Sequence, residues 1–212
     1  MTTESNRKIK ESFDKINIDN KLLLLVCCAP CSCLLLQELK ENDIDVTVLF
    51  YNPNIMPFLE YQMRKETVTN YCQKYGIKYE DLDDIIDYKT ENQKWLNNVA
   101  KDLENLPEMS ERCQKCFSFR LDKLFNFASK NNFKIVSSTL AVSIYKNFDQ
   151  VRNAARLLEK KYSDVKYWYY DWQANDNYKL RRQIICSDKL YNQKYCGCVF
   201  SEKNRSNRNQ KL

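Results

Sequence analysis

The chain has 212 residues, 43% of them apolar, and 34 Lys and Arg against 28 Asp and Glu give a net charge of +6. That length suits one domain, or one with an appended subdomain, and the mild basic excess is compatible with a polyanionic partner without requiring one. No apolar run approaches the roughly 20 residues that span a bilayer, and the opening MTTESNRKIKESF lacks the apolar core of a signal peptide. The expectation is a cytoplasmic protein with no membrane partner. Histidine is absent, so a Cys-His nucleophile pair, a Cys2His2 zinc site and a histidine general base are all excluded.

Read in chain order, ESFDKI suggests a short leading helix. KLLLLV (21–26) is apolar throughout, as a central parallel strand should be. Pro30 can occupy the first turn of the next helix, which continues through CLLLQELKEND. DVTVLFYN (45–52) reads as a second strand. A helix from Pro57 stops at Gly76, and 77–82 is a weaker third strand. Residues 88–106 look helical, and EMSERCQKCFSFRLDKLFNFASKNN holds another helix. A fourth strand is expected at 133–141, an amphipathic helix at NFDQVRNAARLLEKKY, a fifth strand at 165–172 and a last helix at NYKLRRQIICSDKL. Strands alternating with such helices predict βαβ crossovers in an α/β fold. The expected architecture is an open, mainly parallel sheet with flanking helices, a nucleotide-hydrolase-like topology without a phosphate loop. Function in such sheets gathers at the C-terminal ends of the strands. Residues 1–202 are expected to form one domain with a helical insertion around 88–130. The basic tail 203–212 is either solvated disorder or an RNA-contacting arm.

Ten cysteines in a chain expected to meet a reducing cytosol argue for metal-binding or catalytic thiols rather than structural disulfides. Seven of them fall in three motifs. Cys27, Cys28 and Cys31 follow the first strand, with Cys31 at a helix N-terminus, where free N–H groups and the dipole favour a thiolate. Cys113 and Cys116 form a C-x-x-C among the cations Arg112, Lys115 and Arg120, which should also favour thiolates. Cys196 and Cys198 flank Gly197, which permits a tight turn that turns both sulfurs one way. Cys33, Cys72 and Cys186 lie inside helices and read as small buried hydrophobes. Four thiolates match a [4Fe–4S] cluster or a structural zinc, and thiol exchange alone is a third reading.

Taken together, VCCAPCS, LFYNPNI with EYQMRKE, ERCQKCFSFRL, STLAVSIYKN and YCGCVFS resemble the QueH-type epoxyqueuosine reductases over residues 21–201. The resemblance implies reduction of the epoxide of epoxyqueuosine to queuosine at the wobble position of tRNA, without cobalamin. It implies a [4Fe–4S] cluster on Cys27, Cys28, Cys113 and Cys116, and a redox-active pair at Cys196 and Cys198. A second, mononuclear iron is also implied, with Cys31, Asp171, Cys196 and Cys198 as its candidate ligands. The partners would be tRNA carrying the modified base and an external low-potential electron donor. Asp171 matches a family carboxylate and could supply a proton, although the family's Asp-Phe is Asp171-Trp172 here. Tyr51, Asn52 and Asn54 are candidates for contact with the splayed-out base, and Arg64, Lys65 and Arg120 for contact with phosphates. The aromatics of YWYYDW (167–172) read as core. Two other classes remain: a non-catalytic iron–sulfur or zinc module that binds RNA or senses redox state, and tRNA thiolation. The second needs a Ser-Gly-Gly phosphate loop after the first strand, which is missing.

Overall fold

The structure is a computed structural model that describes residues 3–16, 18–82, 87–143, 146–172 and 178–201. The tail expected at 203–212 lies outside the described residues. Five strands form one parallel sheet in the order β3-β2-β1-β4-β5. They are β1 (Lys21–Val26), β2 (Asp45–Phe50), β3 (Lys78–Asp81), β4 (Ile135–Ser138) and β5 (Lys166–Tyr167). The helices are α1 (Thr3–Asp14), α2 (Ala29–Glu41), α3 (Phe58–Tyr75), α4 (Tyr88–Trp95), α5 (Glu111–Lys130), α6 (Phe148–Lys161) and α7 (Tyr178–Ser187). Among the described residues no helix is long and apolar enough to cross a membrane.

The strand period of two divides the core between the two faces of the sheet. Leu22, Leu24 and Val26 point into one core with Ile9, Phe13, Leu34 and Leu36. Leu23 and Leu25 point into the other with Leu121, Leu124, Phe125 and Ala155. Because β1 is covered on both faces, its unbroken apolar run is what the position demands. Each fully buried leucine there stabilises the fold by about 1.5–3 kcal/mol relative to exposure. α3 ends where Gly76 takes a left-handed φ of 62°, the usual way to stop a helix.

Two elements depart from the sequence reading. β5 pairs over Lys166–Tyr167 alone, not over 165–172. The ladder with β4 ends at Val136 opposite Tyr167, although β4 itself runs on to Ser138 before a 3-10 turn, Thr139–Ala141. Trp168, Tyr170 and Trp172 pack instead as a buried aromatic group. The helix expected to reach residue 106 continues from α4 only through a π-helical turn, Leu96–Ala100, and Asp102 then takes a φ of 65°.

From β1 the chain adds β2 and β3 on one side and then crosses over to add β4 and β5 on the other. The crevice between β1 and β4, beyond their C-terminal ends, is the switch point at which open sheets of this kind bind ligands.

Candidate metal and redox site

Cys27 and Cys28 begin the loop at the end of β1, and Cys28 is the N-cap of α2. Pro30 in the first turn fixes the helix start and brings Cys31 back over the loop. The sulfurs of Cys27, Cys28 and Cys31 consequently lie within 4.8 Å of one another, with 3.7 Å between Cys27 and Cys28. That is close to the edge of a tetrahedron of sulfurs about 2.3 Å from a metal.

The surroundings differentiate the three. Hydrogen bonds from Cys28 and then Cys31 hold Cys27 well below the ordinary thiol range despite its burial, and the charges of Lys146 and Arg120 help. Lys146 Nζ is 3.8 Å from the Cys27 sulfur, and the Thr139 hydroxyl is 3.4 Å away. Burial, followed by the neighbouring thiols, lifts Cys28. Cys31 is pushed up to about 12, chiefly by its hydrogen bond to Cys27. Helix-terminal position therefore does not lower Cys31: the sulfur held down is that of Cys27, by the hydrogen bonds of its two neighbours and by Lys146. Gln193 Nε2 lies 2.8 Å from the Cys28 sulfur and 3.6 Å from that of Cys31.

The second group of thiols lines an open cleft of about 490 Å³. Cys113 and Cys116 reach it from the first turns of α5, and Cys196 and Cys198 from the loop after α7, together with Asn54, Arg120 and Lys146. Lys146 thus belongs to both groups, touching Cys27 while lining the cleft of the other four. Its burial would depress the ammonium, but the charges of Cys27, Cys196 and Cys31 together outweigh this and raise it. The cations expected to lower the C-x-x-C thiols do not win. Burial lifts Cys113 and pushes Cys116 up to about 11, despite the counteracting charge of Arg120 on Cys116. Arg112 is occupied with the carbonyls of Leu103, Glu104 and Leu106, and Lys115 pairs outward with Glu111.

The YCGC loop is tied down from several sides. Arg64 donates to the carbonyls of Tyr195 and Cys196, each at 3.1 Å. Met56 N donates to the Gly197 carbonyl at 2.8 Å. The Cys196 amide reaches Ser201 Oγ at 3.3 Å, and that hydroxyl donates to Glu108. Gly197 has a φ of 117°, and a Cβ there would meet Ile55 Cγ1 at 2.9 Å and Arg64 Nη1 at 3.1 Å. Both the turn and the close approach require glycine. Cys196 is exposed and Cys198 buried.

Several expected contact residues have other employment. Tyr51 is buried and its hydroxyl donates to Glu91 at 2.6 Å. Asn52 is buried, donates to Val26 O at 2.9 Å and accepts from Arg120. Arg64 is 1% exposed and Lys65 pairs with Asp81. Tyr51, Asn52 and Arg64 are thus buried and Lys65 is half-buried. Asn54 and Arg120 do line the cleft. Asp171 is exposed beyond β5, outside both the sulfur trio and the cleft lining. The carboxylate that lines the cleft is Glu108. Cys33 and Cys72 are buried, as expected, whereas Cys186 is exposed. On α7 the buried residue is Ile184, and two residues further on the helix has turned away from the core. Lys146, Gln193, Thr139, Trp95 and Glu108 were not identifiable as site residues. Each is a single polar or aromatic residue in an unremarkable segment, and only STLAVSIYKN, a motif of the resemblance, contains two of them.

A parallel α/β sheet that carries converging cysteines at its switch point, where related folds carry a phosphate loop, defines a thiol-ligated metal or redox protein. A family model described as epoxyqueuosine reductase QueH matches residues 22–204. Proteins named epoxyqueuosine reductase QueH align over most of the chain. That of Histophilus somni is 38% identical over 86% of this chain and 72% of its own length. That of Acinetobacter baylyi is 39% identical over 86% and 80%, and that of Thermotoga maritima 33% over 85% and 89%. The chain belongs to the QueH family. Among solved structures, the U34-tRNA thiolase NcsA from Methanococcus maripaludis, described with its [4Fe–4S] cluster, shares the fold. It has a TM-score of 0.57 at 15% identity, covering 93% of this chain and 67% of that one.

Proposed function

We propose that the chain is an epoxyqueuosine reductase that acts on the modified base in tRNA at the wobble position, independently of cobalamin. The observation that carries this reading is the meeting of seven cysteines in two groups around Lys146. A site for one structural zinc needs four ligands, and a redox site that must also hold a substrate needs more. The donor set fits a [4Fe–4S] cluster, since sulfur is plentiful and partly buried and imidazole is absent. We assign its ligands to Cys27, Cys28, Cys113 and Cys116, with Cys31, Cys196 and Cys198 left for the redox pair and a second iron. When bound, the cluster supplies single electrons at low potential, and a Lewis-acidic iron would polarise an oxygen.

The chain's own residues bind and orient. Asn54 Oδ1, Arg112 Nη2 and Arg120 Nε are buried in the cleft wall without a hydrogen-bond partner among the described residues. An unpaired buried polar atom costs about 1–3 kcal/mol, and a polar base edge or diol would relieve that cost. Lys146 presents its ammonium between the two thiol groups, where a leaving oxygen gathers negative charge. Breaking both C–O bonds of the epoxide consumes two electrons and two protons and gives the alkene and water. The electrons come from an external low-potential donor. Without histidine, the protons come from water or thiols, and no part is proposed for the exposed Asp171.

The test is anaerobic purification followed by incubation with epoxyqueuosine-containing tRNA and a low-potential reductant. About four irons per chain or slightly more, together with conversion to queuosine, are expected. Colourless protein with stoichiometric zinc and no conversion after iron–sulfur reconstitution would refute it.

A further inference from the structure

Trp95 is the last residue of α4 and is 1% exposed. It sits among Val99, Ala100 and Cys198, with Cys116 and Phe200 packed against the group. A buried indole N–H needs an acceptor. Here Nε1 is 3.3 Å from the Cys116 sulfur, and no oxygen acceptor for it is found among the described residues. The helix changes to a π-helical turn immediately after Trp95, a local widening often found at functional sites. Val99 and Ala100 in that turn are buried beside the ring, which fixes the direction of the N–H.

We propose that Trp95 is a positioning residue that sets the reduction potential of the iron–sulfur centre through its N–H hydrogen bond to Cys116. The proposal rests on Cys116 being a cluster ligand. Hydrogen bonds to ligand sulfurs are among the levers by which proteins tune such clusters. The reduced cluster is one charge more negative, so a donor aimed at its sulfur stabilises that state more and raises the potential. No bond is made or broken in this role.

The experiment is a redox titration of the cluster-loaded protein and Trp95→Phe, which keeps the ring and removes the N–H. The midpoint potential should move to a more negative value while iron and sulfide content stay the same. Phe200→Leu changes packing around the indole, whose ring centroid lies 6.5 Å from that of Phe200, but spares the N–H, and should leave the midpoint in place. An unchanged midpoint in fully loaded Trp95→Phe overturns the proposal. Should that variant fail to load, wild-type protein labelled with 15N-indole is reduced and examined by electron–nuclear double resonance. A hyperfine coupling to one indole nitrogen supports the bond, and its absence overturns it. Cys116→Ala separates the underlying reading: full iron content there shows that Cys116 is no ligand and removes the premise. A lost cluster in Cys116→Ala beside an unmoved midpoint in Trp95→Phe removes the tryptophan's role alone.

Discussion

Arg64 distinguishes a phosphate contact from a buried brace. Its guanidinium lies 2.6–2.7 Å from Glu60 Oε1, donates to two carbonyls of the YCGC loop and lies 5.4 Å from the ring centre of Tyr195. Arg64→Met keeps much of the volume but leaves Glu60 buried with only the Tyr191 hydroxyl among its described partners, and it removes the Arg64 hydrogen bonds to the carbonyls of Tyr195 and Cys196. Breaking a buried pair on one side costs about 3–5 kcal/mol. For a chain of this size each kcal/mol lowers Tm by about 2–4 °C, so the shift should be about 6–20 °C. The assay is thermal unfolding of the reduced protein under argon, paired with tRNA binding by fluorescence anisotropy across a salt series. If Arg64 is a brace, Tm falls and the slope of log K against log salt holds. If it contacts phosphate, Tm holds and the slope flattens by about one, which would refute the assignment. Arg64→Lys keeps the charge without the planar fork and should recover only part of the lost stability.

Gly197→Ala should lower stability by about 2–4 kcal/mol, because its φ of 117° and the 2.9 Å approach to Ile55 act together; unchanged denaturation would show that the loop relaxes freely. Burial raises the Glu91 carboxyl, but the hydrogen bonds from Lys94 and Tyr51 outweigh it and hold the group below 4.5. Its contribution is therefore complete above about pH 4.5 and lost as pH falls through the lower folded value, so Glu91→Gln should flatten the acid limb of a stability–pH curve measured from neutral to acid. Cys196→Ser or Cys198→Ser should abolish epoxide reduction while most cluster absorbance remains. Iron counting then separates two roles: a redox pair leaves the count unchanged, a second metal site lowers it by about one, and loss of the whole cluster would make these residues primary ligands.

What could be read in advance was local. KLLLLV is apolar at every position past Lys21, so its place at the middle of the sheet followed from that unbroken run, and Gly76 marked the end of α3 by its freedom to take a positive φ. The strand at 165–172 misled because pairing with β4 ends at Tyr167 and the aromatics beyond it pack on one another instead. The three cysteine motifs were equally visible, since paired thiols are rare and their spacing is local. Which sulfur is held lowest was not visible. Cys31 has the helix terminus, yet Cys27 receives Lys146 from 119 positions away.

The same limit applies to the candidate contacts. Asn52 and Arg64 have the chemistry of a nucleic-acid surface yet are buried, and sequence cannot tell a guanidinium facing water from one facing a carbonyl. Burial is a property of the assembled chain. Gly197 shows both halves of the matter in one residue. Its turn could be argued from Cys-Gly-Cys alone. Its second requirement comes from Arg64, which lies 133 positions earlier and rests against the point where a Cβ would be. Arg64 is thus the group that shapes the paired-thiol loop, while the cleft wall holds polar atoms such as Asn54 Oδ1 and Arg112 Nη2 that have no hydrogen-bond partner among the described residues.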